Sequence, residues 1–597
     1  MTVTRQETTG TRSHASALQD WVRALETTQR LRATPEATLA SVVQEVARTR
    51  GTEPALIGTD EHLTYRELAE RVGRYRRWAH EHGLAAGDVV CLLMPNQPDH
   101  VAIWLGLTEA GCVVALLNTH ITADALAHCI RSAGAGHVIV AAAMTDRAGA
   151  VMAQLPATTQ WWVHGGAWAD FPRIDTAPLS PAGDPDQPPA PPRGRALLIY
   201  TSGTTGLPKA AAVSHARVLE WSGWFAGMMA AQPDDRLYDC LPMYHSVGGV
   251  VAIGAMLVSG GSVVIRERFS ATRFWDDVVR TRCTIVQYIG EMCRYLLQSE
   301  PAAAAGHSVR LFCGNGLRGE VWEPFQRHFA VPRILEFYAA TEGCVSLYNC
   351  EGKPGAVGRV PGFLAHRFPI ALIRCDVDSG EVLRDAAGRC IPCAAGEPGE
   401  AIGRLAGAGE APSRSFDGYT DADASARKIL HDVFAAGDRW FRSGDLMRKD
   451  AAGYYYFVDR LGDSFRWKGE NVATTEVAAV LGTCPGVVEA QVYGVAVPGT
   501  EGKAGMAALI VDDTFSLPVF RRHVHASLPA YARPLFVRLC REIEATGTFK
   551  PKKADLARDG YTATGPDPVW FDDAAAGAFV ACDTDLRQRL ETRSLRL

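Results

Sequence analysis

A repeated alternation of short apolar runs and amphipathic segments between residues 64 and 141 is the feature that most constrains the fold. Thr64 and Glu67 form a capping box, and apolar residues follow at helical spacing as far as Gly83, where a helix C-cap belongs. The pattern then predicts strands over Val89–Met94, Val113–Leu117 and His137–Ala141, separated by helices over His100–Glu109 and Ala123–Ser132. Strands and helices that alternate through short glycine turns predict βαβ units, a largely parallel sheet and therefore an α/β fold class.

The chain has 597 residues, which is more than one hydrophobic core organises, so we predict two or more domains. Residues 1–35 are predicted to be a loosely ordered, flexible N-terminus. Residues 36–459 form the predicted large domain of mixed sheets and helices, with a proline-rich surface connection over 177–192. After Arg460 the pattern changes, and residues 460–597 are predicted to form a smaller α+β domain. Its predicted elements are helices over Thr475–Leu481 and Leu517–Ser527 and strands over Val487–Val495 and Met506–Val511.

Charge and cysteine content exclude several classes of protein. With 61 basic and 66 acidic residues, the formal net charge is -5, which argues against a nucleic-acid binder. The 15 cysteines show no disulfide-framework spacing. Cys390 and Cys393 form a lone CxxC, which we interpret as two loop thiols because a structural zinc site normally needs a second pair. The polar N-terminal residues contain no signal-peptide core, so we expect a cytoplasmic protein.

One uncharged stretch, Ser246 to Ile265, is about long enough to cross a bilayer. However, Ser259-Gly260-Gly261 interrupts it. A buried helix over Val250–Val258, a turn and a strand over Val263–Ile265 fit the pattern better, so no integral membrane segment is predicted.

The segment YTSGTTGLPK, residues 200–209, follows an apolar strand predicted over Ala196–Tyr200. Gly203 and Gly206 allow a tight turn that brings backbone N–H groups near an anion. Four hydroxyl side chains and Lys209 add further donors and a positive charge. This density of donors directly after a buried strand indicates a phosphate-binding loop, although the spacing differs from that of a Walker A loop.

Five segments, in this order, resemble the signature motifs of the adenylate-forming superfamily, which includes acyl-CoA synthetases, luciferases and the adenylation domains of peptide synthetases. They are YTSGTTGLPK, EFYAATE at 336–342, SGD at 443–445, DR at 459–460 followed by KGEN at 468–471, and TGTFK at 546–550. Other segments, such as YDCLPMYHS, CGNGLR and DSFRWKGENVATTEV, resemble the fatty-acid-transport-protein or very-long-chain acyl-CoA synthetase branch. This resemblance covers about residues 55 to 560 and makes 36–459 the adenylation domain and 460–597 a mobile domain.

The resemblance implies ATP and Mg²⁺ as cofactors and CoA as the second substrate. It implies that the pyrophosphate end of ATP binds to Thr201, Ser202, Gly203, Thr204, Thr205, Gly206 and Lys209. Thr341 would contact the α-phosphate and Glu342 would ligate Mg²⁺, as a carboxylate with a divalent metal does at a triphosphate. Asp445 would accept hydrogen bonds from the ribose hydroxyls, and Arg460 would contact the ribose or a phosphate.

The resemblance also assigns residues to adenine and to the reacting groups. Gly314, Asn315 and Gly316 would form a flat backbone surface against adenine with Tyr338 stacked on it, although a purely structural turn explains these glycines nearly as well. His245 would lie near the substrate carboxylate, and a structural role is an equal alternative. Lys550 would bridge the attacking oxyanion and the α-phosphate, while its neighbours Lys552 and Lys553 are expected to be solvated.

The small domain of this superfamily rotates between two half-reactions. The hinge position corresponds to Gly462, or to Asp463 if the alignment is offset by one residue. Ala339 replaces a usual glycine, and its methyl group is expected to narrow the acyl pocket. The pocket residues themselves are scattered, and candidates are Trp221, Trp224, Gln287, Tyr288 and Glu291.

Three functions fit these observations. The first is an acyl-CoA ligase that converts a small-molecule carboxylate to acyl-AMP and then to acyl-CoA. The second keeps the first half-reaction but activates nitrite for attack by an aromatic amine, and a related variant transfers the acyl group to a carrier-protein thiol. The third is a lipid transport or binding protein, against which the retained Lys209, Glu342, Asp445, Arg460 and Lys550 argue. A homodimer would be compatible with each.

The role of Lys550 gives a first prediction. Lys550→Ala should abolish most adenylation, measured as acid-dependent pyrophosphate release, because the ammonium neutralises charge that develops in that step. Transfer from a supplied adenylate should remain largely intact. Normal pyrophosphate release by the variant would remove Lys550 from the site.

Overall fold

The computed structural model describes residues 16–178, 194–201, 207–299, 306–377, 379–406, 416–468, 470–498, 500, 502–545, 553–562, 565–592 and 594–595. The first elements are α1 (Ala17–Arg32), α2 (Leu39–Arg50), β1 (Pro54–Ile57), β2 (His62–Thr64), α3 (Tyr65–Glu81), β3 (Val89–Leu93), α4 (Pro98–Glu109), β4 (Val113–Leu116), α5 (Ala123–Ala133), β5 (His137–Ala141), α6 (Thr145–Met152), β6 (Gln160–His164), β7 (Arg195–Thr201) and β8 (Lys209–Ser214).

The central part contains α7 (His215–Met228), β9 (Arg236–Asp239), a π-helix (Val247–Ala252), α8 (Ile253–Ser259), β10 (Ser262–Ile265), α9 (Phe274–Arg280), β11 (Ile285–Ile289), α10 (Gly290–Gln298), β12 (Leu311–Asn315), α11 (Gly319–His328), β13 (Ile334–Ala339) and β14 (Ser346–Asn349). It continues with β15 (Gly358–Arg359), β16 (Ile370–Ile373), β17 (Gly399–Arg404), α12 (Ala422–Arg427), β18 (Ile429–His431), β19 (Arg439–Lys449) and β20 (Tyr454–Arg460). The C-terminal part contains β21 (Phe465–Trp467), β22 (Glu470–Val472), α13 (Thr474–Gly482), β23 (Val487–Ala496), β24 (Lys503–Val511), α14 (Leu517–Ser527), β25 (Phe536–Leu539), α15 (Lys553–Asp559), β26 (Val569–Asp573), β27 (Ala578–Ala581) and α16 (Thr584–Glu591).

Three sheets build the larger part of the protein. A six-stranded sheet has the order β6-β5-β3-β4-β7-β8, and all its pairs are parallel except β7 with β8. An eight-stranded sheet has the order β14-β13-β12-β11-β9-β10-β1-β2, with antiparallel strands only at its two edges. The third sheet is antiparallel, in the order β15-β20-β19-β17-β16, with β18 paired to β19. The α/β fold class is therefore confirmed, and parallel strands place their carboxyl ends, where ligands bind, at common edges.

The C-terminal part has its own sheet, in the order β23-β24-β25-β26-β27, and its own apolar core. The chain leaves the antiparallel sheet at Arg460, where the sequence predicts the domain boundary. The carboxylate of Asp459 is buried at this joint and accepts hydrogen bonds from Ser464 Oγ (3.0 Å) and from the backbone N–H of Thr474 (2.6 Å). These bonds fix the chain on both sides of the joint.

The predicted elements agree closely with the structure. The capping box of Thr64 and Glu67 is present at the start of α3, and the strand over His137–Ala141 and the helix over Leu517–Ser527 have the predicted bounds. The uncharged stretch is a π-helix, α8 and β10, with the turn at Gly260 in the left-handed region (φ 76°). Among the described residues, we find no helix with the length and apolar character that a membrane span requires.

The prediction of a loosely ordered N-terminus is wrong for Ala17–Arg32, which form α1 and pack along α7. Trp21 is 1 % exposed and makes edge-on contacts with the rings of Trp224 and Tyr348. Two glycines of α7 allow this close approach, since a Cβ at Gly227 would lie 2.4 Å from Ala24 Cα. The contact partners lie about two hundred residues or more away in sequence, so local periodicity gives little sign of them.

Cys390 and Cys393 are free thiols in the connection between β16 and β17, as their interpretation as loop residues predicts. Of the proline-rich connection, residues 179–193 lie outside the described part of the chain.

The packing of α1 gives a second prediction. Trp21→Ala should destabilise the larger part of the protein by about 3–5 kcal/mol, because it removes a buried aromatic side chain and leaves a cavity. Val22 lies on the same helix with 39 % of its surface exposed, so Val22→Ala should change stability by less than about 0.5 kcal/mol. Denaturant unfolding of both variants checks this, and equal midpoints would show that α1 is not part of the core.

Candidate active site

The strands β7 and β8 carry the predicted phosphate loop. They are antiparallel neighbours, and Thr201 lies opposite Lys209 in their register. The two site residues that flank the predicted loop are therefore strand partners. Ser202, Gly203, Thr204, Thr205 and Gly206 lie outside the described residues, and their contacts to phosphate stay predictions.

The end of β13 and the turn after it bring the predicted phosphate and metal residues together. Thr341 Oγ1 lies 3.5 Å from the hydroxyl of Ser246. Glu342 is nearly buried (9 % exposed), and one of its carboxylate oxygens accepts a hydrogen bond from the hydroxyl of Tyr419. The guanidinium of Arg217 donates to the Glu342 backbone carbonyl. Tyr419 thus fixes the Glu342 carboxylate and Arg217 fixes the backbone that bears it, and sequence reasoning missed both residues.

Tyr338, Asp445 and Arg460 meet although they come from three different strands. The Tyr338 hydroxyl donates to Asp445 Oδ2, and Arg460 Nε lies 3.5 Å from Asp445 Oδ1. Asp445 and Arg460 are also direct partners in the register of β19 and β20. Burial, and then the adjacent Asp445 carboxylate, raise the pKa of Tyr338, so this hydroxyl stays protonated and remains a donor.

The loop at the end of β12 contains the residues predicted to face adenine. Gly314 needs to be glycine for packing, since a Cβ there would lie 2.1 Å from the Tyr288 carbonyl oxygen. Gly316 has a φ of 81°, which also favours glycine. The structural explanation of these two glycines is therefore correct, and it does not exclude a ligand. Asn315 Oδ1 is buried and has no hydrogen-bond partner among the described residues, so this loop presents a polar acceptor as well.

A buried carboxylate holds this loop in place. Glu336 Oε1 accepts hydrogen bonds from the backbone N–H groups of Gly316 (2.6 Å) and Leu317 (3.2 Å), and its other oxygen accepts from Tyr288. Burial raises the pKa of Glu336 to about 8. Sequence reasoning gave Glu336 no role, although it is the first residue of the EFYAATE motif, which is a signal that could have found it.

His245 lies in a tightly packed turn between β9 and the π-helix. Its ring is partly buried against Tyr244, with the two ring centroids 4.7 Å apart. The turn has no room for larger residues, since a Cβ at Gly249 would lie 1.9 Å from the Met243 carbonyl oxygen. The next residue, Ser246, lies 3.5 Å from Thr341 Oγ1, whereas the position of His245 near the substrate carboxylate stays a prediction. π-helical turns are frequent at functional sites.

The candidate pocket residues have different environments. Trp224 packs in the aromatic cluster with Trp21, and Tyr288 is committed to Glu336, so both serve the core. Glu291 forms ion pairs with Arg294 and Arg318. Gln287 is fully buried, and its amide has no hydrogen-bond partner among the described residues, which keeps it a candidate for contact with a substrate. Trp221 is partly buried against the main core, and Ala339 is exposed at the end of β13, where its methyl group can meet a ligand.

Lys550 lies outside the described residues. For Lys553 the expectation of a solvated side chain is wrong. Its ammonium donates to Thr474 Oγ1 (2.7 Å) and lies 4.0 Å from Asp463 Oδ2, because α15 packs against the joint between the two parts of the chain. Gly462 has a φ of 94°, and a Cβ there would meet no atom of the described residues within 4 Å. It therefore has both the backbone conformation and the free space that a hinge residue needs.

In the part of the chain that is described, no group of three or more His, Cys, Asp or Glu residues could hold a metal. Glu342 offers one fixed carboxylate at the predicted metal position. The donor set therefore fits a metal that takes one protein carboxylate and completes its shell with substrate oxygens and water, as Mg²⁺ does at nucleotides.

Several solved structures share this fold. The structure of the anthranilate CoA ligase AuaEII in complex with anthranoyl-AMP is similar, with a TM-score of 0.74 and 20% sequence identity, and covers 87% of this chain and 96% of its own. A benzoate CoA ligase from Burkholderia xenovorans LB400 gives a TM-score of 0.72 with 22% identity, over 87% of this chain and 100% of its own. At these identities the comparison establishes the fold alone.

Sequence relatives establish the family. Long-chain fatty acid transport protein 1 of Mus musculus is 42% identical over 566 residues, which are 93% of this chain and 87% of the relative. Long-chain fatty acid transport protein 3 of Mus musculus is 42% identical over 514 residues, which are 83% of this chain and 75% of that protein. The family model of AMP-binding enzymes matches residues 43–400, and that of the AMP-binding enzyme C-terminal domain matches residues 476–550. The chain therefore belongs to the AMP-binding enzymes of the adenylate-forming superfamily, in the branch of the long-chain fatty acid transport proteins.

Proposed function

We propose that this protein activates a fatty carboxylic acid with ATP, forming acyl-AMP and pyrophosphate, and then transfers the acyl group to CoA. The observation that carries the proposal is the meeting of Tyr338, Asp445 and Arg460 beside the turn that bears Thr341 and Glu342. These residues come from two sheets and from the joint with the small domain. Their convergence has no use in a protein that only holds apolar chains.

Each part of the nucleotide has a matching group. The free acceptor Oδ1 of Asn315 suits the exocyclic amine of adenine. Asp445 keeps acceptor capacity for ribose hydroxyls, because each of its oxygens contacts only one described side chain. Thr201 and Lys209 flank the predicted loop that would hold the pyrophosphate end.

Glu342 would hold Mg²⁺ together with phosphate oxygens. When bound, Mg²⁺ would shield the negative charge of the triphosphate. The hydrogen bond from Tyr419 fixes the Glu342 carboxylate before any ligand arrives, so little ordering is needed on binding.

The chemical step brings an anionic oxygen to an anionic phosphorus, so the site must supply positive charge and oriented donors. Lys209 would serve the pyrophosphate end of ATP and Arg460 the ribose or a phosphate, and Lys550 would approach from the small domain. Thr341 would donate to the α-phosphate, with His245 and Ser246 on the side from which the carboxylate enters.

The segment that follows His245 in the chain favours a substrate acid with an apolar chain. The π-helix and α8, Val247–Ser259, contain no charged residue and belong largely to the main apolar core. An acyl chain that follows its carboxylate past His245 would meet only apolar side chains and backbone there. The names of the relatives, long-chain fatty acid transport proteins, agree with a fatty acid substrate.

The other two functions have less support. None of the relatives and structures named above is a nitrite-activating enzyme, and nothing in the described site selects nitrite over a carboxylate. The assembled nucleotide residues argue against a lipid carrier that has lost catalysis.

The assay of pyrophosphate release tests the proposal. Purified protein with ATP and Mg²⁺ should release pyrophosphate with fatty acids of increasing chain length, and CoA should then allow multiple turnovers with AMP as product. An aromatic acid and nitrite, with and without an aromatic amine, serve as comparison substrates. Release with nitrite alone, increased by the amine, would instead identify a diazotising enzyme.

Gly462 provides a further prediction, about the step that follows adenylation. Gly462→Pro fixes φ near −65°, whereas the structure has 94°, so the variant should favour a different orientation of the small domain. We expect adenylation and thioester formation to be uncoupled, with one of the two half-reactions reduced about tenfold or more relative to the other. Gly482, which ends α13 and would meet no atom with a Cβ, provides a control as Gly482→Ala. Equal changes in both half-reactions of Gly462→Pro would place the hinge elsewhere.

A further inference from the structure

Lys428 lies outside all five sequence motifs but in the centre of the site. It is the residue after α12 and directly precedes β18, which pairs with β19. Its ammonium donates hydrogen bonds to the backbone carbonyls of Arg442 (3.2 Å) and Ser443 (3.1 Å). Its own carbonyl accepts from the Arg442 N–H at 2.8 Å. Lys428 therefore holds the backbone just before Asp445 from two sides.

The segment from Arg442 to Asp445 is an irregular part of β19. The register with β17 shifts here, and Gly444 has a φ of 79°. A Cβ at Gly444 would lie 3.5 Å from Lys428 Nζ, so the ammonium lies against the turn itself. Regular sheet hydrogen bonds cannot hold such a turn, and side chains must replace them.

Other side chains hold the same turn from the opposite side. Buried Glu400 accepts from the Gly444 N–H (3.2 Å) and pairs with the Arg442 guanidinium (2.6 Å to Nη2). The Ser443 hydroxyl donates to the Ala401 carbonyl (2.6 Å). Within this set, Lys428 donates hydrogen bonds to the outward-turned backbone carbonyls of Arg442 and Ser443.

The ammonium also balances charge across the cleft. It lies in the electrostatic range of Glu342, which follows the eight-stranded sheet, and of Glu400 and Asp445, which belong to the antiparallel sheet. Lys428 is thus a cation shared by the proposed metal-binding carboxylate and the proposed ribose-binding carboxylate. Without it, these carboxylates would face one another with less compensation.

We propose that Lys428 is a positioning residue for nucleotide binding: by holding the Arg442 and Ser443 carbonyls it directs the Asp445 carboxylate toward the ribose. This inference rests on the proposed function. It assigns to Lys428 a role in ATP affinity and ribose recognition, while the bond-forming step is left to other residues.

Binding of ATP and of 2′-deoxy-ATP to the full-length protein, measured by calorimetry in the presence of Mg²⁺, tests the proposal without knowledge of the acid. Lys428→Met should weaken ATP binding about tenfold or more, the consequence of losing roughly one charge-assisted hydrogen bond. It should also reduce the preference for ATP over 2′-deoxy-ATP, because Asp445 is no longer directed at the ribose. In turnover assays the KM for ATP should rise while kcat changes by less than about threefold.

Asp445→Ala and the double variant show whether Lys428 acts through Asp445. We expect the double variant to bind ATP about as weakly as Asp445→Ala alone. Effects that multiply would mean that Lys428 acts independently of Asp445 and would overturn the inference.

Lys449→Met is the matched control, since Lys449 lies on β19, as Asp445 does, is exposed, and its ammonium lies over the ring of Tyr455. It should bind both nucleotides as the wild type does. If Lys428→Met does not fold, as judged by its thermal midpoint, Lys428→Gln is measured in its place with the same expectation. Unchanged affinity and ribose preference in a folded Lys428 variant would overturn the inference alone. A wild-type protein that binds no ATP would overturn the proposed function together with it.

Discussion

The contact between Tyr338 and Asp445 is the interaction on which the site depends. Tyr338 lies in β13 of the eight-stranded sheet, one residue before its end, and Asp445 lies in β19 of the antiparallel sheet, so this hydrogen bond joins two sheets at the place where the nucleotide would lie. Arg460 adds the joint with the small domain from the other side of the same carboxylate. Hydrogen bonds to a charged acceptor are stronger than neutral ones, and partial burial strengthens them further. The Asp445 carboxylate thus sets the relative positions of three parts of the protein. The binding of a ribose to this carboxylate would depend on the positions of all three.

Three other acidic side chains also hold neighbouring segments of the chain around Asp445 by accepting hydrogen bonds. Glu336, Glu400 and Asp459 are buried, and each accepts hydrogen bonds from backbone N–H groups of a neighbouring turn: at Gly316 and Leu317, at Gly444, and at Thr474. A buried carboxylate is costly unless it is satisfied, so a turn that satisfies it is held firmly in return. None of the three carboxylates is expected to touch the reacting atoms. Their common role is to make irregular backbone rigid, which is the condition for a site that binds without reorganising.

Sequence reasoning predicted what depends on local pattern. The capping box of α3, the alternating strands and helices and the motif residues from Thr341 to Arg460 follow from short-range signals, and the structure brings most of those residues together. It failed where the position of an element or side chain depends on contacts with residues that are distant in the sequence. The position of α1 depends on glycines of α7 about two hundred residues away, and Lys553 is paired with Thr474 on another element. Lys428, Tyr419 and Arg217 lie outside the sequence motifs, so their roles can be inferred only from the residues that they contact. The assignments at Ser202–Gly206 and Lys550 stay predictions.

The chain is held firmly at Asp459 but not at Gly462. This difference explains how a fixed nucleotide site can serve two half-reactions. Up to Arg460 the chain is held by the sheet and by the bonds of Asp459, whereas a Cβ at Gly462 would contact none of the described atoms. Between the two parts, Arg294 donates to the Val488 carbonyl (2.8 Å) and lies 3.7 Å from Glu489, contacts that water can replace at little cost. The nucleotide residues, by contrast, are held by buried groups that water cannot replace. A change of domain orientation can therefore exchange the polar contacts of the small domain while the geometry around Asp445 is kept.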